Sequence, residues 1–439
     1  MGRTRAPVCG LLLALTGAAA AHASAQAAGP GALAPIRLSE THDDFTLSLG
    51  GEVRQRFEHV RNADWDAANA PDGYLLQRYM LHADLRLGPR VRFLAHLKSG
   101  LEDGRADGPR AVDEDRLAVH EAFLDLGLSS RATLRLGRQE LAYGSSRLVS
   151  NRNGPNVRRS FDGARMLLAA GPWTLDAFAV KPVKTEPGVF DDPPDHAVTF
   201  WGAYAVVPLP ALSHASVDVY YLGLDRKSAT FDQGTAREIR HSIGTRVWRE
   251  QAPWDYDFEL VYQWGRFGSA PIRAWTIASD TGLTLDAAPL GPRFGLKANV
   301  TSGDADRSDP RLGTFNPLFP RGSYFGEAAL IGPANHVDLH PSVDLHVRPW
   351  LTVSPGWIVF WRQSRDDGLY GSSGAVERPG GGSRARHVGR QATLTLNAGL
   401  GPHVTVAADF EYFFAGPFLR ESGPGDDLAF VASWVSVSF

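Results

Sequence analysis

The chain has 439 residues, with 45 Lys and Arg against 48 Asp and Glu, for a formal charge of −3. That balance leaves no net basic charge to draw nucleic acid and no acidic excess that would choose a partner. The only cysteine is Cys9, so a disulfide framework and cysteine-based redox or metal chemistry are excluded. Forty of the cations are arginine and five lysine, which fits either a GC-rich coding bias or a need for planar, bidentate donors.

Residues 1–25 read as a secretory signal peptide. Arg3 and Arg5 form the positive start, Val8 begins an apolar stretch too short to span a bilayer, and Ala23-Ser24-Ala25 is a small-residue cleavage site. Residues 26–44 are expected to be an N-terminal periplasmic segment. From Phe45 to the end, strand-like alternation continues without a linker, a composition shift or an amphipathic helical stripe, so 45–439 reads as one domain. Short Gly/Pro/Ser breaks fall at Gly88-Pro89, Ser129-Ser130, Gly171-Pro172, Pro208 to Pro210, Gln251 to Pro253, Pro289 to Pro292, Arg348-Pro349 and Gly401-Pro402. Most are about 40 residues apart, room for two strands of about ten residues or more and one longer loop. Eight short turns join nine hairpins, so the fold expected is all-β, an up-and-down antiparallel transmembrane barrel of about 18 strands with short periplasmic turns. The longest outer loops are expected at 303–335 and 365–385, both rich in Gly, Pro, Asp and Ser.

Alternation assigns the two faces. In 45–58, Phe45, Leu47, Leu49, Val53 and Phe57 oppose Thr46, Ser48, Glu52, Arg54, Arg56 and Glu58. In 336–348, Val337, Leu339, Val343, Leu345 and Val347 oppose His336, Asp338, His340, Asp344, His346 and Arg348. A soluble sandwich would turn the apolar row inward. The signal peptide, the long strands and an alternating last strand, 428–439, ending on Phe439 favour apolar-out and polar-in. That last strand is similar to the segment by which barrel assembly machinery receives outer-membrane proteins. Tyr256, Phe258, Tyr262, Trp264, Trp357, Trp361, Phe410, Tyr412 and Phe414 are then expected to face lipid.

The same phase lines the interior with Arg54, Arg56, Arg78, His82, Asp84, Arg86, Arg90, Arg92, His96, Lys98, Arg165, Arg240, Arg246 and Arg362. The acids Asp218, Asp257, Glu259, Asp338, Asp344, Asp409 and Glu411 come mostly from later strands, so one arc is expected to be basic and another mixed or acidic. A ladder of guanidinium groups suits an anion bearing carboxylates, because each can grip two oxygens side by side. Inward charge is also general in such barrels, where it stiffens the wall and fills space.

The segment LGRQELAYGSSRLVS at 136–150, SFDGAR at 160–165, TFNPLFP at 314–320 and Trp361-Arg362-Gln363-Ser364 with Asp367 and Tyr370 together resemble the bacterial alginate export family of outer-membrane channels. The resemblance spans nearly all of 45–439. It implies an eighteen-stranded monomeric barrel whose arginine-lined lumen releases an anionic polysaccharide, with periplasmic secretion partners. The matched positions are Arg138, Gln139, Glu140, Tyr143, Arg147, Asp162, Arg165, Asn316 and Arg362. Alternation through Leu134 and Leu136 turns Arg138 and Glu140 outward unless a bulge at Gly137 resets the phase.

Other chemistry finds little purchase. Asp304, Asp306 and Asp309 are a weak calcium candidate lacking the EF-hand glycine and closing glutamate. His336, His340 and His346 share a face, but alternate residues lie about 7 Å apart, too far to meet at one ion. Ser145, Ser146 and Ser433 lack an elbow motif, which makes an outer-membrane hydrolase the least favoured reading. The reading that results is a channel without catalysis or cofactor, exporting an anionic polysaccharide, with uptake of small anions or nutrients as the alternative.

Overall fold

The computed structural model describes residues 36–39, 44–210 and 214–439; the expected signal peptide and most of the segment after it lie outside these. Eighteen long strands form one antiparallel sheet: β1 (Phe45–Arg61), β2 (Asp72–Leu87), β3 (Val91–Asp103), β4 (Asp115–Ser129), β5 (Ala132–Gln139), β6 (Phe161–Ala170), β7 (Trp173–Pro182), β8 (Val198–Leu209), β9 (Ala215–Phe231), β10 (Gly234–Arg249), β11 (Trp254–Phe267), β12 (Ala270–Thr284), β13 (Arg293–Thr301), β14 (His336–Arg348), β15 (Leu351–Arg362), β16 (His387–Gly399), β17 (Val404–Ala415) and β18 (Leu428–Ser438). Each strand pairs with its sequence neighbour, and β18 pairs with both β17 and β1, so the sheet closes. At the seam Glu52 faces Ser438, and the Gly51 and Phe439 backbones exchange hydrogen bonds at 2.8 and 3.1 Å. Gly51 is needed there: a Cβ would lie 2.4 Å from the Met80 carbonyl oxygen and 2.7 Å from the Phe439 ring.

Burial follows the expected phase. Leu49 and Phe57 are exposed, whereas Arg54 and Arg56 are 4% and 2% exposed. Phe258, Leu260, Tyr262 and Trp264 on β11 and Phe410, Tyr412 and Phe414 on β17 are exposed on the outer face, while Glu259, Asp409 and Glu411 are buried inside. Closure is what permits this inversion. Every strand has two paired edges, so no backbone donor or acceptor meets hydrocarbon unsatisfied. No helix among the described residues is long and apolar enough to cross a membrane.

The short turns sit where the Gly/Pro breaks predict. Of the opposite loops, 302–335 and 363–386 are the longest, within a few residues of expectation, followed by 140–160 and 183–197. Two hairpins depart from the expected long loop. β9–β10 and β11–β12 turn through only 232–233 and 268–269, because their strands stay paired to Phe231–Gly234 and Phe267–Ala270. Gly268 takes φ 58°, the left-handed conformation that glycine tolerates without steric cost.

Loops 140–160 and 302–335 do not stand above the barrel. They fold into it and pair with each other: the Phe319 N–H donates to the Leu148 carbonyl at 2.9 Å, and the Ser150 N–H donates to the Phe319 carbonyl at 3.0 Å. Phe315, Leu318 and Phe319 then pack with Leu141, Tyr143, Leu148 and Val149 on inward apolar residues of β6 to β12, among them Phe161, Phe178, Phe200, Tyr204, Tyr220, Leu222 and Val261. The barrel therefore has a greasy outer belt and also packed apolar bodies inside: this one, and a second where Phe325 and Ile331 of loop 302–335 meet Ile358, Phe360, Phe413 and Phe430 on β15 to β18.

Candidate functional site in the lumen

The predicted conduit cations fall into three groups. Arg54, Arg56 and Arg78, on β1 and β2, hold the inserted loops. Arg54 donates to the Asn153 and Pro155 carbonyls at 3.0 and 2.8 Å, and Arg78 donates to the Asn153 carbonyl at 3.1 Å while pairing with Glu52 at 2.7 Å. Arg56 pairs with Glu58 at 2.6 Å and with Glu327 of loop 302–335 at 2.7 Å. Lys98 on β3 lies 2.7 Å from Asp115 and 2.9 Å from Asp192, tying down loop 183–197.

A second group is locked into the wall or the plug. Arg240, fully buried, pairs with Glu238 and donates to Gln263 and the Thr314 carbonyl. Asn316, one of the motif residues, donates to the same Glu238 at 2.9 Å. Arg246 grips Asp257 at 2.7 and 2.8 Å and reaches Asp218 at 3.1 Å. Arg147 belongs to no strand. It extends from loop 140–160 across the interior to Thr276, Thr301 and, at 3.4 Å, Glu259 on the opposite wall. Arg362 is fully buried and donates to the carbonyls of Arg365, Asp367, Ser383 and Ala385, so it caps loop 363–386. These residues meet carboxylates or carbonyls already present, which replaces the expected free guanidinium ladder with a compensated network.

Arg138 stands apart. Its strand register runs unbroken from Gly137–Gly163 to Gln139–Phe161, so Arg138 keeps the face of Leu134 and Leu136 and pairs with Asp162 at 2.8 and 2.9 Å. No bulge at Gly137 resets the phase, so Arg138 keeps the outward face that alternation gives it and is removed from the conduit. Gly137 is present for another reason: with φ 126°, a Cβ there would sit 2.2 Å from the Ala122 carbonyl oxygen. Glu140 does turn inward, because the chain leaves the strand after Gln139. It accepts from His120 and Arg158 at 2.7 Å and from Asn151 at 2.8 Å. Burial pushes this carboxyl up, but the Arg158 guanidinium and the His120 imidazole hold it well below the usual carboxylate range. Glu327, equally buried, is held down by Arg56.

The third group lines open space. A cleft of about 550 Å³ lies inside the short-turn end of β2 to β6, and Arg86, Arg92 and Arg165 are in its wall. Arg90 is there too, although it sits in the turn before β3 rather than on the strand. Arg131 and Arg135 complete the set; neither was among the conduit residues expected from sequence, though the alternation around Leu134 and Leu136 marks Arg135 as inward. Against these six cations the lining holds three carboxylates, Glu121, Asp125 and Glu140. Arg135 and Arg92 share Asp125, and Arg165 pairs with Asp176. Arg90 and Arg131 are exposed and meet no carboxylate among the described residues. Arg135 also lies 3.7 Å over the Phe123 ring, which fixes its plane.

The weak metal candidate at Asp304, Asp306 and Asp309 dissolves into loop structure. Asp304 accepts the Asp306 and Gly313 N–H groups, Asp306 accepts from Ser308, and Asp309 pairs with Arg311. His336 is spent on Asp338 at 2.8 Å.

An eighteen-strand barrel, greasy outside and ionised within, defines the porin-type channels of the bacterial outer membrane. Its backbone is similar to Pseudomonas aeruginosa OccK8 (OprE), with a TM-score of 0.61, 12% identity and coverage of 90% of this chain and 98% of that one. The outer membrane protein opdK of the same organism gives 0.61, 10%, 90% and 98%. P. aeruginosa OccK2 (OpdF), solved in complex with glucuronate, gives 0.60, 12%, 90% and 98%. At such identities the likeness is one of fold. Comparison with curated proteins gave no match. The alginate export family matches residues 45–430, and the chain belongs to it.

Proposed function

We propose that this outer-membrane channel passes a carboxylate-bearing polysaccharide of the alginate type outward, loading it at the arginine-rich mouth on the periplasmic side. The observation that carries the reading is the cleft at the short-turn end, lined by six guanidinium groups of which Arg90 and Arg131 meet no carboxylate among the described residues. Short turns are periplasmic in outer-membrane barrels, so this surplus meets cargo before it enters. Arginine suits uronate units because its planar fork binds both oxygens of one carboxylate. The compensated network deeper in supplies the complement: cations already engaged with acids hold a polyanion weakly, and a weak grip lets it move on. Membership in the alginate export family supports the cargo class, and the final strand supports delivery by barrel assembly machinery.

A second reading is uptake of single uronates or similar small acids. The inserted loops 140–160 and 302–335 favour it, because they narrow the bore, and a fold neighbour was solved with glucuronate. Planar-bilayer recording separates the two. Export predicts that polyuronate added on the periplasmic side blocks current at concentrations where glucuronate and neutral dextran do not. Block by glucuronate alone, with polyuronate inert, would transfer the assignment to uptake.

A further inference from the structure

We infer that His96, His120 and Glu121 form a binding site for a divalent first-row transition cation of the zinc type inside the barrel, with Glu140 orienting His120. Each of the three offers a ligand atom within 4.8 Å of the others. Sequence periodicity conceals the group, because His120 and Glu121 are adjacent and should face opposite sides of a strand. A register break resolves this. In the β3–β4 pairing His96 faces Glu121 and Leu97 faces Val119, so His120 is the extra residue of a bulge and both side chains reach the interior. Bulges re-aim side chains in this way and are enriched beside functional sites.

Two further observations point to a ligand. His120 is fully buried, yet its Nδ1 has no hydrogen-bond partner. Its Nε2 meets Glu140 at 2.7 Å, and Arg158 and Asn151 fix that carboxylate in place. A proton held on Nε2 by Glu140 leaves the Nδ1 lone pair free, and this is the carboxylate–histidine arrangement that primes an imidazole for a metal. His96 Nδ1 and Glu121 Oε2 already lie 3.4 Å apart. Two ligands on one tetrahedral zinc at about 2.0–2.1 Å are separated by about 3.3 Å, so that edge is set and the third ligand has to approach by up to about 1.5 Å. Two imidazoles and one carboxylate select zinc, copper or nickel over calcium or magnesium, which prefer oxygen. Glu121 and Glu140 both line the cleft at the periplasmic mouth, which gives an ion a route in. An ion there would tie the β3–β4 wall to the first residue of inserted loop 140–160.

The test uses the full mature barrel in detergent, stripped with chelator and titrated with Zn2+ by calorimetry and with Co2+ by visible absorption. One ion per chain is expected, with intense cobalt bands of low coordination number. His96→Ala and His120→Ala should each weaken binding at least tenfold, Glu140→Gln about 10- to 100-fold, and His340→Ala not at all. No saturable binding by the wild type, or binding unchanged when His96 and His120 are replaced together, overturns the site. Should His120→Ala fail to give the β-sheet circular dichroism of the parent, His96→Gln and Glu121→Gln carry the same test, because both residues are only partly buried.

Discussion

The two sides of the lumen are built on different physics. Along β1 to β5 the interior is polar: Arg54, Arg78 and Arg56 reach inward and hold the inserted loops by carbonyls and Glu327. Along β6 to β12 the interior carries an apolar cluster beside its paired ions, and the same loops bury Phe315 and Phe319 against Phe161, Phe200 and Tyr220. One side secures the loops by directional contacts that charge and ligand can compete for. The other secures them by area, which is indifferent to both. The inserted loops are therefore held against both sides of the bore by different forces, and the cleft at the short-turn end of β2 to β6 is left lined by charge.

Removing the apolar anchor should have the largest effect. Phe315 is fully buried and Phe319 nearly so, and Phe→Ala in a packed core costs about 3–5 kcal/mol. Phe315→Ala with Phe319→Ala is expected to release loop 302–335, raise single-channel conductance and speed thiol labelling of a Ser323→Cys probe. Conductance and labelling equal to those of the parent would mean that the apolar side does not hold the plug.

The polar anchor should yield to acid rather than to truncation of aromatic rings. Glu140 and Glu327 both titrate below their ordinary range in the folded protein, pushed up by burial but pulled down further by Arg158 and Arg56. A depressed carboxyl contributes stability above its unfolded pKa, about 4.3, and loses it as pH falls through the lower folded value. Loop docking on this side should be constant from pH 7 to about 5 and weaken only below about 4. Current noise recorded across that range checks the sign. Loosening between pH 7 and 5 would contradict it.

Much of this asymmetry was legible in the sequence, and part of it could not be. Two-residue alternation placed Arg54, Arg56, Arg246 and Glu259 inside and Phe57, Phe258 and Tyr262 outside, because a strand admits only two faces. The Gly/Pro breaks located the short turns, which fixed the strand number. The fate of Phe161, Phe200 and Tyr220 was hidden, since an inward aromatic on a barrel strand acquires meaning only when a distant loop packs on it. The compensation of Arg240 by Glu238 and of Arg165 by Asp176 was equally hidden: alternation gives a side chain's face but not its partner. Arg138 and Arg90 were misplaced for local reasons. Unbroken register kept the first on the outer phase, and the turn before β3 is one residue longer than expected at the second. His120 escaped because a bulge breaks the very periodicity from which faces are read.

The smallest expected effect sharpens the comparison where cargo first meets it. Arg86, half-exposed and only 3.4 Å from Asp84, and Arg131, exposed without a carboxylate, are the cations least committed to the wall. Reversing both, Arg86→Glu with Arg131→Glu, leaves the inserted loops and their anchors untouched. Each solvated charge is worth about 0.5 kcal/mol, roughly a twofold change in anion occupancy at the mouth. Anion over cation selectivity should therefore fall several-fold in dilute salt and recover toward the parent value at 1 M, where screening acts within about 3 Å. Reversal potentials at two salt concentrations read this directly. A shift that persists undiminished at high salt would place these residues at the constriction itself, and the charged side would then set the bore as well as the entrance.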